Sequence, residues 1–301
     1  MELNENADID TSQVEDRRGS GGGGGGLGGL PIPIGGGGLV GVIITLVIAV
    51  VGGYFGINQL GGGGSDTANN TNIQQECSQE NATQQLECRN VLFVNSIQAY
   101  WKQASPKYFN VDYQPAKTVI FSNRVNTACG AADSGVGPFY CPGDNLVYID
   151  LTFYKVLSQQ LGAPGEFAQP YVLAHEYGHH IQDITGQEAK MRRAQQGAGE
   201  TEQNALSVKL ELQADCYAGV WSKAATETTD TKGQKIFTSL TQQDIEEGIQ
   251  TAGQIGDDVL QKKSGNPVNP EEFTHGTAAQ RQQNFQKGYD SGNPESCNTS
   301  F

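Results

Sequence analysis

A chain of 301 residues is long enough for one sizeable core plus tails, or for two small domains. Its 33 acidic and 19 basic side chains give a net charge of −14 with no basic stripe. That balance argues against nucleic acid as a partner, because phosphate binding needs a clustered positive footprint. The 40 glycines are inflated by "GSGGGGGGLGGL" and by the "GGGG" at 61–64, and the remainder has the composition of an ordinary domain.

In chain order, residues 1–38 read as a disordered Gly-rich arm. Leu39–Ile57, "LVGVIITLVIAVVGGYFGI", carries no charge over 19 residues and is expected to form a single transmembrane helix. Arg17 and Arg18 are the only cations before it and favour an N-terminus on the inside, with the rest of the chain periplasmic or extracellular. Residues 58–75 read as a flexible tether and 76–301 as the folded domain.

Within that domain "VLFVNSIQAYWKQA" (91–104) has helical spacing, while "KTVIFSN" (117–123) and "LVYIDL" (146–151) are β-branched and short, as strands are. Helices are expected over 152–161, 169–185, about 188–224 and 242–263. The fold class is α+β, a small N-terminal sheet followed by a mostly helical C-terminal part, behind one membrane span.

All six cysteines lie after the apolar run, and an even number on one side of it suggests disulfides in an oxidising compartment. No close C-x-x-C pair speaks for a zinc finger. Local spacing favours Cys77–Cys88 and Cys129–Cys141, which leaves Cys216–Cys297.

"YVLAHEYGHHIQ" contains His175, Glu176 and His179 as H-E-x-x-H. On a helix, positions i and i+4 face the same way, so both imidazoles can reach one Zn2+ ion. Glu176 projects beside them, close enough to act as general base on a water bound there. Gln182 and Thr185 occupy the positions where metzincins carry glycine and a third histidine, so the third ligand must come from elsewhere. "SVKLELQADCYAGVW" supplies Glu211 as that ligand and, four residues on, Asp215 to orient a ligand histidine through its second ring nitrogen. His180 points about 100° away around the helix and reads as structural. His275 in "FTHGTAAQR" is either a donor to the oxyanion of the tetrahedral intermediate or a helix-start residue; Tyr148 and Tyr177 are alternatives for that donor.

The segments "VEDRRG", "GPFYCPGDNLVYIDLTFY", "FAQPYVLAHEYGHHIQ", "LELQADCYAGVW", "AGQIGDDVLQ" and "FTHGTAAQR" make the chain resemble the neutral zinc metallopeptidases of bacteria, a membrane-anchored, gluzincin-like family of zincins. The resemblance implies zinc held by His175, His179 and Glu211, with Glu176 as the catalytic residue. The expected function is therefore a membrane-anchored zinc endopeptidase acting on a protein or peptide substrate, with the lipid bilayer as a second partner. The "LVYID" strand is expected to bind substrate as an added β-strand. The alternative is a non-hydrolytic zinc-binding module that recognises envelope proteins.

Overall fold

A computed structural model describes residues 1–18, 70–163 and 165–301. Strands β1 (Glu2–Leu3) and β2 (Val14–Asp16) open the chain, and helices α1 (Asn70–Glu76) and α2 (Leu86–Ala104) follow. Next come β3 (Lys117–Phe121), β4 (Arg124–Thr127), β5 (Gly130–Asp133), β6 (Phe139–Cys141) and β7 (Leu146–Asp150). The rest is mainly helical: α3 (Phe153–Gln159), α4 (Ala168–Ile184), α5 (Gln187–Gln195) and α6 (Glu200–Ala224), then β8 (Phe237–Ser239), α7 (Gln242–Gln254), α8 (Asp257–Lys263) and α9 (Ala278–Ser291). The α+β class with a helical C-terminal part is the observed architecture.

The main sheet has the order β2-β3-β7-β6, with β6 antiparallel to β7 and the other pairs parallel. "KTVIF" is apolar at consecutive positions because β3 is buried on both faces, as a central parallel strand is. Val119 and Phe121 pack with Val125, Phe139 and Tyr148 under the β4–β5 hairpin, while Ile120 joins the large core beneath the helices.

Residues 1–18 correct the expected arm. Val14 is completely buried, Val14–Asp16 pair with Thr118–Ile120, and β1 pairs with β8. Arg18 forks onto Asp16 and reaches Glu87, and the Asp16 amide donates to Asn70 Oδ1 at 2.8 Å. A single bilayer crossing between residues 18 and 70 would put β2 and β3 on opposite sides, yet they hydrogen-bond in register. Among the described residues no helix is long and apolar enough to cross a membrane, and Leu39–Ile57 itself lies outside them. The single-pass arrangement, the periplasmic or extracellular placement derived from it, and the bilayer as partner are therefore set aside.

Smaller differences have local causes. The expected tether ends early, because α1 begins at Asn70. The 188–224 helix breaks after Gln195, where Gly197 adopts φ +83°. The 242–263 helix breaks at Gly256, where any Cβ would overlap the backbone at Ala278. β7, the "LVYID" strand, is paired on both sides, so among the described residues the unpaired edge beside it belongs to β6.

Three disulfides tie α1 to α2 (Cys77–Cys88), the β4–β5 turn to β6 (Cys129–Cys141) and α6 to the C-terminal segment (Cys216–Cys297). Helix α6 is central. Its Ala214 Cα lies 3.0 Å from where a Cβ on Gly178 of α4 would sit. Gly219 and Gly288 let α6 and α9 touch backbone to backbone, since a Cβ on Gly288 would overlap the Cys216 carbonyl. These close crossings bring the carboxylates of α6 to the histidines of α4.

Candidate metal centre and catalytic cleft

Helix α4 starts "AQPYV", with Pro170 in the first turn, where its missing N–H is no loss. His175 and His179 follow one turn apart on the face against α6. His175 Nδ1 is 2.9 Å from Asp215 Oδ1, and His179 Nδ1 is 2.8 Å from Gln182 Oε1. Gln182 is itself fixed, because its amide nitrogen donates to the Leu210 carbonyl at 2.6 Å. Asp215 Oδ1 and Gln182 Oε1 both accept, the former nearer to His175 Nδ1 than Arg281 Nη2 at 3.4 Å, so each ring carries its proton on Nδ1 and turns the lone pair of Nε2 inward.

Those inward atoms converge. The two Nε2 atoms are 3.2 Å apart, Glu211 Oε2 is 3.1 Å from the first, and Glu211 Oε1 is 3.4 Å from the second. Two lone pairs and a carboxylate crowded together repel one another unless a cation lies between them. His175, His179 and Glu211 each offer one ligand atom within 4.8 Å of the others, two imidazoles and one carboxylate, a donor set that suits zinc. The residues present fit the ion.

Asp215 behind His175 is fully buried and fully engaged. Oδ1 accepts from Tyr171 Oη at 2.6 Å and from Arg281 Nη2 at 3.0 Å, and Oδ2 from Arg281 Nε at 2.8 Å. Burial opposes its ionisation, but Arg281 and His175 outweigh that and hold the carboxyl down at about 2. A capping box between Thr277 and Gln280 starts α9 and sets Arg281 one turn into it. Neither Tyr171 nor Arg281 was singled out from the sequence. Tyr171 lies one turn before His175, and a buried Asp215 implies a buried cation, but nothing local says which arginine supplies it.

Glu176 lines the cleft, and burial pushes its carboxyl up while His175 and His179 pull it back. His275 lines the same cleft, with Nδ1 3.0 Å from Asp257 Oδ1. Asp257 Oδ2 accepts from the amides of Thr274, His275 and Gly276 at 2.7–3.0 Å, which fixes that turn and leaves His275 Nε2 as the free ring nitrogen. Burial works against charging His275, yet Asp257 and Glu211 raise its pKa. Three other residues stay apart. His180 bonds the Gln114 carbonyl and Tyr140, Tyr177 bonds the Ala116 carbonyl and Thr118, and Tyr148 donates to Asp144 beneath Arg17.

The cleft encloses roughly 1330 Å³, its open mouth included. It is lined by the 136–140 stretch before and in β6, by the apolar Phe153, Leu161, Val172 and Leu260, and by Glu188 and Met191.

Residues 4–300 match the family described as "Putative neutral zinc metallopeptidase". The chain belongs to that family. Zn2+ is accordingly its cofactor. It is 42% identical over 298 residues to "Uncharacterized protein YpfJ" of Escherichia coli K12, covering 96% of each chain. It is 44% identical over 218 residues to "Uncharacterized protein Rv2575" of Mycobacterium tuberculosis H37Rv, covering 71% of this chain and 70% of the relative. No solved structure matches it significantly. Membership of a zinc metallopeptidase family suggests proteins or peptides as the substrate class.

Proposed function

We propose that this chain is a zinc-dependent endopeptidase in which His175, His179 and Glu211 hold the ion and Glu176 is the general base. The convergence of those three donors in the lining of an open cleft, with Glu176 among the same lining residues, is the observation that supports it most. Bound zinc supplies Lewis acidity, polarising a carbonyl and bringing the pKa of water towards neutrality. Glu176 takes the proton from the attacking water and passes it to the leaving amine. His275, held at Nδ1 by Asp257, which raises its pKa against burial, donates from Nε2 to the oxyanion that forms on the substrate carbonyl. Asp215 acts one step back. It keeps the proton of His175 on Nδ1, and Tyr171 and Arg281 keep Asp215 ionised and still. The substrate lies extended along the edge of β6 that is unpaired among the described residues, pairing backbone to backbone.

The test is Glu176→Gln in the full chain. Wild type and variant, each carrying one zinc by elemental analysis, are incubated with a diverse peptide mixture read by mass spectrometry. Cuts made by the wild type and missing from a zinc-loaded variant are expected. Cleavage that survives the substitution would remove Glu176 from the mechanism.

A further inference from the structure

Cys129–Cys141 differs from the other two disulfides in what it encloses and in what it exposes. Its loop runs from the β4–β5 turn to β6, so the cleft wall from Val136 to Tyr140 hangs between its two ends. Cys77, Cys88, Cys216 and Cys297 are buried, whereas Cys129 is partly exposed, between the exposed Ala128 and Gly130. Cys141, its partner, is fully buried.

The ends of the loop lie in the β4–β5 hairpin and the β6–β7 ladder, and hydrogen bonds made by side chains add to these. The Ala128 amide donates to Asp144 Oδ2 at 2.9 Å, Ser134 donates to Asp150, and Tyr140 Oη donates to Asp183 Oδ2 at 2.8 Å. Between them Val136 and Phe139 pack in the small cluster under the hairpin, with Phe139 stacked 5.0 Å from Tyr148, and Cys141 belongs to that cluster. Tyr140 bonds Asp183 and His180 of α4, but His175, His179 and Glu211 of the metal centre take their hydrogen-bond partners from α4, α6 and α9. The helices of that centre are held by the Gly178–Ala214 contact and by Cys216–Cys297.

The geometry points to Cys129–Cys141 as a redox-reversible holder of the substrate-binding wall, whose reduction weakens peptide binding and leaves the metal centre standing. The binding part of this rests on the peptidase reading above. The reductant is a dithiol. One of its thiolates attacks Cys129 Sγ, the Cys129–Cys141 bond breaks, and the Cys141 thiolate that leaves takes up a proton. The second thiol then displaces Cys129 from the mixed disulfide, so two electrons and two protons reach the protein and the reductant departs as a disulfide. The ends of the loop are then held by the β4–β5 and β6–β7 pairing and no longer by a covalent bond, and the wall samples more conformations than a peptide can bind.

The full chain, oxidised and carrying one zinc, is titrated with dithiothreitol, alkylated and mapped by mass spectrometry. Hydrogen exchange and cleavage kinetics follow on the same samples. Cys129 and Cys141 should be alkylated first. Amides of 134–140 should then exchange faster, with α4 and zinc content unchanged. KM should rise about threefold or more with kcat within about twofold, the pattern of lost uniform binding. Reoxidation should restore the starting values, and the C129S/C141S double variant should copy the reduced protein. Alkylation of another pair at the same dithiol concentration, unchanged exchange at 134–140, unchanged KM, or loss of zinc with loss of kcat would each overturn the inference. If the oxidised protein cleaves nothing, the peptidase reading falls, and alkylation order with exchange still decides whether this loop is the redox-labile wall.

Discussion

Arg281 and Asp215 form a forked ion pair, Nε to Oδ2 at 2.8 Å and Nη2 to Oδ1 at 3.0 Å, with both side chains buried. Breaking a buried pair from one side leaves the other charge uncompensated, which costs about 3–5 kcal/mol. Arg281→Met should therefore lower stability by about that amount and also weaken zinc binding, because Asp215 no longer stays ionised against His175. Urea unfolding and competition with a chromogenic chelator would check the two effects separately.

Gln182 offers a milder perturbation of the same centre. Its Oε1 holds His179 Nδ1, while its amide satisfies the Leu210 carbonyl. Removing a partner of a ligand histidine commonly lowers metal affinity about 10–100-fold. Gln182→Ala should fall in that range, and the apo protein should lose only about 1–3 kcal/mol for the orphaned carbonyl. Zinc affinity equal to wild type would mean that His179 is oriented by something else.

The N-terminal strand carries its own prediction. Val14 is fully buried between β3 and the helices, so Val14→Asp introduces an unpaired charge into the core. A loss of roughly 3–5 kcal/mol is expected. A melting temperature indistinguishable from wild type would show that residues 1–18 are not part of the cooperative unit.

Asp150 sets an acid limit on stability. Burial opposes its charge, but Ser134, the Thr152 and Asn123 amides and the Thr152 hydroxyl outweigh it, leaving its pKa below the usual 3.8. A carboxyl depressed on folding adds stability that is fully present above its unfolded pKa and is lost as pH falls through the folded one. Wild type should accordingly lose this stabilisation below pH 3.8, whereas Asp150→Asn should be less stable at neutral pH and lack that part of the acid slope. Unfolding midpoints measured between neutrality and strong acid would resolve the difference.

The sequence by itself determined the parts of this protein whose partners are close along the chain. His175, Glu176 and His179 are legible because one helical turn brings positions i and i+4 together whatever surrounds the helix. Glu211 and Asp215 are legible as a pair for the same reason, since acids embedded among Leu210, Ala214 and Trp221 cannot be a solvated face. The Cys77–Cys88 and Cys129–Cys141 bridges close short loops, which local spacing also suggests.

Tertiary structure decided the rest. Arg281 stands 66 residues beyond Asp215, and only the glycine-lined crossing of α6 and α9 puts it there. Asp257 reaches His275 because the break at Gly256 starts a new helix against the 274–276 turn. "VED" at residues 14–16 pairs with a strand about a hundred residues later, across a stretch whose glycines read locally as an arm and an anchor. Parallel pairing leaves no hairpin turn to announce it, so neither composition nor periodicity could reveal the strand that overturned the single-pass reading.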